Sequence, residues 1–177
     1  MQRRQAITSA AVALIVFSVG CSRETRPGEY RNREHNFGIV PPTGWATQKG
    51  SNIVVVTFMS PQEGAADAFR ENINVVVEKL PRQMTTEEYA KECRRAMTAA
   101  LVDLETVSDT AQDLNGQASR RYVSTYRTGA ANIKSLVYVT AKGKRAYVIT
   151  CSALPETFGD YEKTFDDCCG TFIVDQR

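Results

Sequence analysis

Glu105–Ala153, ETVSDTAQDLNGQASRRYVSTYRTGAANIKSLVYVTAKGKRAYVITCSA, is the stretch on which the fold turns. Four runs suited to strands, Glu105–Leu114, Gln117–Thr128, Ile133–Ala141 and Arg145–Ala153, are separated only by Asn115-Gly116, Gly129–Asn132 and Lys142-Gly143-Lys144. Breaks this short close hairpins, and Asn-Gly suits the left-handed backbone of a tight turn. A parallel crossover needs about a dozen residues or more, so these strands are consecutive antiparallel neighbours. In the last run Tyr147, Ile149, Cys151 and Ala153 share one face, and Ala146, Val148, Thr150 and Ser152 share the other.

Upstream, Asn52–Ser60 (NIVVVTFMS) and Asn72–Leu80 (NINVVVEKL) are apolar at both alternating sets of positions. That pattern predicts strands covered on both faces, and so layers above and below the sheet. Phe37–Pro41 reads as a short edge strand closed by Pro41-Pro42, with Trp45 capping one end of the core. Between these strands and the hairpins the period changes. Thr85 and Glu88 form a capping box, and Tyr89, Cys93, Ala96, Met97, Ala100 and Leu101 recur at helical spacing, predicting a helix over Thr86–Leu101. A second helix follows Pro155, with Phe158, Tyr161, Phe165, Cys168, Cys169 and Phe172 on one stripe and Gly170 near its end. Strands, a helix, four more strands and a final helix make an α+β pattern on one antiparallel sheet, not a doubly wound βαβ alternation.

The ordered set of Phe37–Trp45 (FGIVPPTGW), Glu71–Val75 (ENINV), Thr85–Tyr89 (TTEEY), Asn115-Gly116 before a strand, and Ala146–Thr150 (AYVIT) ahead of Phe158–Phe172 resembles the PsbP/DcrB-like superfamily. The resemblance runs over most of residues 36–175 and implies an α/β/α sandwich around a central antiparallel sheet of about six to seven strands. Members of that superfamily include lipid-anchored or periplasmic proteins, photosystem II extrinsic subunits and chaperones for secreted effectors. The resemblance brings no shared catalytic motif, and fold alone does not fix function.

The first 20 residues read as an export signal: Arg3 and Arg4, an apolar run from Ala10 to Val19, then Gly20. The run is too short to span a bilayer, which takes about 20 apolar residues. Ser18-Val19-Gly20-Cys21 resembles a lipobox, with Ser18 in place of the usual Leu, and implies lipidation of Cys21. Ordinary signal cleavage that leaves Cys21 a plain residue is the alternative. Residues 21–36 are then a lipid anchor and flexible tether, polar and broken by Pro27-Gly28, and residues 37–177 are one domain. This places the protein in the cell envelope, lipid-anchored to a bacterial membrane and facing the periplasm or exterior. Removing the signal takes away two arginines and no acid, leaving 20 basic against 20 acidic residues. A neutral domain does not attract nucleic acid by bulk charge.

Catalytic raw material is sparse. His35 is the only histidine and lies in the tether, away from any Ser or Cys nucleophile. Cys168-Cys169 lacks CxxC spacing, so no metal site is expected, and no glycine pattern cradles a phosphate-bearing cofactor. Glu87-Glu88, Asp103 with Glu105, and Asp166-Asp167 read as helix-end or solvated charge. Export to an oxidising compartment makes Cys93, Cys151, Cys168 and Cys169 disulfide candidates. The spacing favours one bridge from Cys151 to Cys168 or Cys169, or one joining the two helices through Cys93; small buried hydrophobes are the alternative. Arg94-Arg95, Arg120-Arg121 and the Lys142–Arg145 turn are basic, and Tyr122, Tyr126, Tyr138 and Tyr147 lie on strands as core or pocket aromatics. The expectation is a non-catalytic binding or assembly module, without cofactor, whose partners are the membrane and another envelope protein. The alternative is a small-ligand binder or enzyme using a pocket on the same fold.

Overall fold

A computed structural model describes residues 24–51, 53–64, 67 and 69–175. Cys21 and the signal lie outside the described residues. Twelve elements follow one another: β1 (Tyr30–Asn32), β2 (Phe37–Ile39), β3 (Ala46–Lys49), β4 (Val54–Met59), β5 (Asn72–Lys79), α1 (Thr86–Ala100), β6 (Val102–Leu114), β7 (Gln117–Thr128), β8 (Ala131–Lys142), β9 (Arg145–Ala153), α2 (Phe158–Gly170) and β10 (Ile173–Val174). A seven-stranded antiparallel sheet has the order β3-β4-β5-β9-β8-β7-β6, and a small sheet has the order β1-β2-β10. The chain leaves β5, crosses one face as α1, and returns from the far edge through the β6–β9 meander until β9 pairs with β5.

The local signals act as read. Asn115 (φ 53°) and Gly116 (φ 80°) take the left-handed conformations that close the β6–β7 hairpin. Thr85 accepts from the Glu88 amide while the Glu88 carboxylate accepts from the Thr85 amide, which fixes the start of α1. Those hydrogen bonds, led by the Thr85 backbone, hold the Glu88 carboxyl below its ordinary value.

Two cores flank the main sheet. On one face Phe58, Ile73, Ile149, Phe158, Phe165 and Phe172 pack with α2 and the small sheet. On the other, Leu80, Met84, Tyr89, Ala90, Tyr122, Val137 and Val139 pack beneath α1. This is the α/β/α sandwich implied by the resemblance. Trp45 meets Tyr161 and Phe165 edge-on, with ring centroids 6.1 and 6.2 Å apart.

Several expectations change. Tyr30–Asn32, assigned to the tether, is a strand paired with Phe37–Ile39, so the ordered chain begins before residue 37. Phe37–Ile39 is the middle strand of the small sheet, with β1 and β10 beside it, and not an edge. Tyr30 is held there by Phe37 and Phe58, at centroid distances of 6.0 and 5.8 Å. β4 is fully covered on only one face: Val56 and Phe58 are buried, whereas Thr57 and Met59 are half-exposed because α1 packs over β7 and β8 instead. Pro155 precedes a turn, and α2 starts at Phe158, after the amides of Thr157 and Phe158 both bond the Leu154 carbonyl.

Candidate functional site

The cysteines divide by face. The thiol sulfurs of Cys151, on β9, and Cys169, on α2, lie 3.5 Å apart in the completely buried core. Cys168 is buried on α2 as well, and Cys93 is half-buried on the sheet-facing side of α1; all four are free thiols in the structure. A bridge between the helices through Cys93 is ruled out, because α1 and α2 occupy opposite faces of the sheet and a disulfide spans at most about 7 Å between Cα atoms. Burial pushes the Cys151, Cys168 and Cys169 thiols up from their ordinary value, and burial with nearby Glu78 pushes Cys93 up to about 11.

Most charged side chains singled out in the sequence are already engaged. Arg121 grips Asp166 with two nitrogens, at 3.0 and 2.9 Å, and reaches Glu162 at 2.9 Å. Tyr138 donates to the same Asp166 at 2.9 Å, so α2 is tied to β7 and β8. Hydrogen bonding to Asp166 raises the Arg121 guanidinium above its ordinary value. Arg120 pairs with Asp109, and Arg94 reaches Asp109 at 2.8 Å while lying over the Tyr122 ring. Glu87 faces Lys91, Asp103 meets Arg127, and Asp167 meets Lys163. These are structural pairs. Glu71, one carboxylate the sequence reading passed over, is buried and accepts from Ser60 and Thr157 at 3.0 Å each.

Two concavities among the described residues lie beside side chains that these pairs leave open. Only Thr86, Tyr89 and Ala90 of α1 are buried, while Cys93 and Met97 are half-covered and Ala96 and Ala100 are exposed. The later turns of the helix therefore flank a groove of about 510 Å³ over β5 and β9, floored by Val76 and Val148 and edged by Glu78 and Glu92. Neither acid has a cationic partner among the described residues. On the opposite face, a pocket of about 540 Å³ lies between the Lys142–Arg145 turn and the β1–β2 turn. His35 lines it, which moves that histidine from the tether into a concave site. Its amide bonds Asn32 at 2.8 Å and its carbonyl accepts from Tyr147 at 2.9 Å. Of the strand tyrosines only Tyr147 lines this pocket. Among the described residues, no group of three or more His, Cys, Asp or Glu gathers as a metal site.

No protein-family model matches the sequence, and no curated protein does. Solved structures do. Cyanobacterial PsbP (CyanoP) of Synechocystis sp. PCC 6803 superposes with a TM-score of 0.61 at 18% identity, over 83% of this chain and 91% of its own. The fold is PsbP-like. PA94 of Pseudomonas aeruginosa, a protein of unknown function, shares this PsbP-like fold with a TM-score of 0.61 at 13% identity, over 84% of this chain and 96% of its own. LpqN of Mycobacterium tuberculosis, involved in cell envelope biogenesis, gives 0.66 at 10% identity, over 79% of this chain and 83% of its own. The resemblance read from the sequence thus holds at the level of the PsbP-like fold.

Proposed function

We propose that the protein is a lipid-anchored module of the bacterial cell envelope that binds another envelope protein and catalyses no reaction of its own. The groove beneath α1 carries this reading. Its lining of Val76, Tyr89, Cys93, Met97 and Val148 is apolar, and its rim carries Glu78 and Glu92 without cationic partners. The complementary partner is an apolar segment flanked by Lys or Arg, which would cover the half-exposed helix face and neutralise the rim. The lipobox-like Ser18–Cys21 supports the anchor, and the role of LpqN in cell envelope biogenesis lends the location support.

Two measurements test the two halves. A photo-crosslinking residue at Met97 should yield a defined adduct that the same residue at Lys163, on the opposite helix, does not, and mass spectrometry should map it to an apolar segment with basic flanks. Charge reversal by Glu78→Lys with Glu92→Lys should abolish that adduct; identical adducts from both sites would refute the groove. For the anchor, labelled fatty acid should enter the wild-type chain and not Cys21→Ser, and equal labelling would refute lipidation.

A further inference from the structure

The pocket on the opposite face has an electrostatic arrangement that the fold alone does not account for. Arg145, the first residue of β9, stands directly opposite Lys79 on β5 and Lys142 on β8. Residues opposite one another in a sheet point to the same face, so three cations form a row across three strands, and like charges so placed repel. Lys144, in the turn itself, adds a fourth positive charge to the lining. None of the four has an ion pair among the described residues, whereas most of the arginines elsewhere do. The Nη1 of Arg145 is buried without a hydrogen-bond partner. Two carboxylates, Glu34 and Asp175, line the far wall, and Asp175 is engaged by Arg31 at 2.9 Å. The cations therefore exceed the acids.

The backbone of the turn beside the row is also held in place. The Lys144 carbonyl accepts from the Leu80 amide at 2.9 Å, and the Gly143 carbonyl accepts from the Met84 amide at 3.4 Å. Gly143 takes φ 62°, the left-handed conformation that this tight turn requires. The fixed backbone of the turn brings the four charges together without further ordering of the chain.

We propose that this pocket binds an organic phosphate, its dianionic group held by Lys79, Lys142, Lys144 and Arg145. A phosphate monoester carries a charge near −2 at neutral pH and accepts several hydrogen bonds, so it offsets the repulsion within the row. A single carboxylate would leave most of the row unmatched. The cavity, about 540 Å³, exceeds what inorganic phosphate fills, and Val77, Val174 and the Tyr147 ring offer an apolar wall for the organic part. The monoester belongs either to a soluble metabolite or to the headgroup of phosphatidic acid, two sources of the same chemistry. The pocket and the α1 groove lie on opposite faces, so the result for one leaves the other standing.

The test uses the full chain, in neutral detergent with glycerol 3-phosphate as the soluble probe and, after detergent removal, with vesicles of phosphatidic acid in phosphatidylcholine, against phosphatidylcholine alone, as the membrane probe. Amide resonances of Gly143 and Lys144 should move on titration, and Lys142→Gln with Arg145→Gln should weaken binding at least about tenfold. Because that variant removes repulsion, its thermal midpoint without ligand should not fall; Lys144→Gln, on the exposed turn, serves as a second variant that leaves the strands intact. Binding to the soluble ester assigns a free metabolite as the source, and binding to the anionic vesicles alone assigns a headgroup. No binding to either probe, or equal affinity in wild type and both variants, overturns the proposal.

Discussion

Cys151 and Cys169 are expected to join under oxidising conditions, which the proposed export of the chain would supply. Their sulfurs need to close from 3.5 Å to a bonded distance of about 2 Å, a movement within reach of side-chain rotation and a small shift of α2. In thiol–disulfide exchange with oxidised glutathione, the two thiols lose their protons, the electron pair reduces the glutathione disulfide, and two reduced glutathiones leave. Burial keeps both thiols protonated in the folded chain, so the bond should form during folding, and the reduced native protein should resist oxidation. The two cysteines are 18 residues apart, and closing a loop of that length in the unfolded chain is worth about 3 kcal/mol on the chain-entropy relation. That is roughly a hundredfold in the folding equilibrium, and roughly 6 to 12 °C in thermal midpoint for a domain of this size. Peptide mapping of protein refolded with oxidised glutathione should find Cys151 linked to Cys169 and Cys168 free. Urea unfolding with and without reductant should then differ by that amount in wild type and not in Cys169→Ala. A bridge mapped to Cys168 or Cys93, or a wild-type midpoint indifferent to reductant with the bond in place, would refute the reasoning.

Other consequences follow from packing and burial. Phe165 is wholly buried among Trp45, Phe158 and Tyr161, and Phe165→Ala should lower unfolding free energy by about 3 to 5 kcal/mol in urea titration; a loss below about 1 kcal/mol would mean that the α2 layer contributes little. Thr85→Ala should cost about 1 kcal/mol through the lost cap of α1, with Thr85→Asn retaining most of it. Cys93 has its thiol raised to about 11, so at pH 8 only about one molecule in a thousand carries the thiolate. Its alkylation by iodoacetamide should therefore accelerate about tenfold for each pH unit between 8 and 10, and a rate that levels off near pH 8.5 would show an ordinary exposed thiol.

Local chemistry was legible in the chain, and long-range placement was not. Asn115-Gly116, the Thr85–Glu88 capping box and the alternation in Arg145–Ala153 act within a few residues, and each specifies its element where it was read. Tyr30–Asn32 escaped because its neighbours are almost entirely polar; it is a strand only because the hairpin sets Tyr30 against Phe37 and Phe58. β3 has no apolar period to read, since all of Ala46–Lys49 is exposed and only its pairing with β4 defines it. The same cause hid both concavities. The apolar stripe of α1 continues to Leu101, yet only residues of its first turns are fully buried while Cys93 and Met97 are partly covered, so periodicity alone predicted a covered face where there is a groove. The cationic row depends on β9 pairing with β5, strands separated by the whole α1–β8 segment, and no spacing in the sequence places Lys79 beside Arg145.

The ordered start of the chain constrains how the two faces would meet a membrane. Arg26 is already fixed to the domain, through Glu29 at 3.1 Å and the carbonyl of Thr171 at the end of α2. With Cys21 lipidated, as proposed, four residues lie between the anchor and that fixed point, and the five steps from Cys21 to Arg26 reach about 18 Å when fully extended. A tether running to residue 36 would have allowed about three times as much. The attachment lies on the side of the sheet that carries α2 and the small sheet, the side onto which Lys79, Lys142 and Arg145 also project. The α1 groove is on the other side. A short tether would thus hold the phosphate pocket on the anchored side, within range of headgroups, while α1 turned its open groove away from the lipid toward proteins of the envelope. The two proposals need no competition for one surface, because the sheet itself separates them.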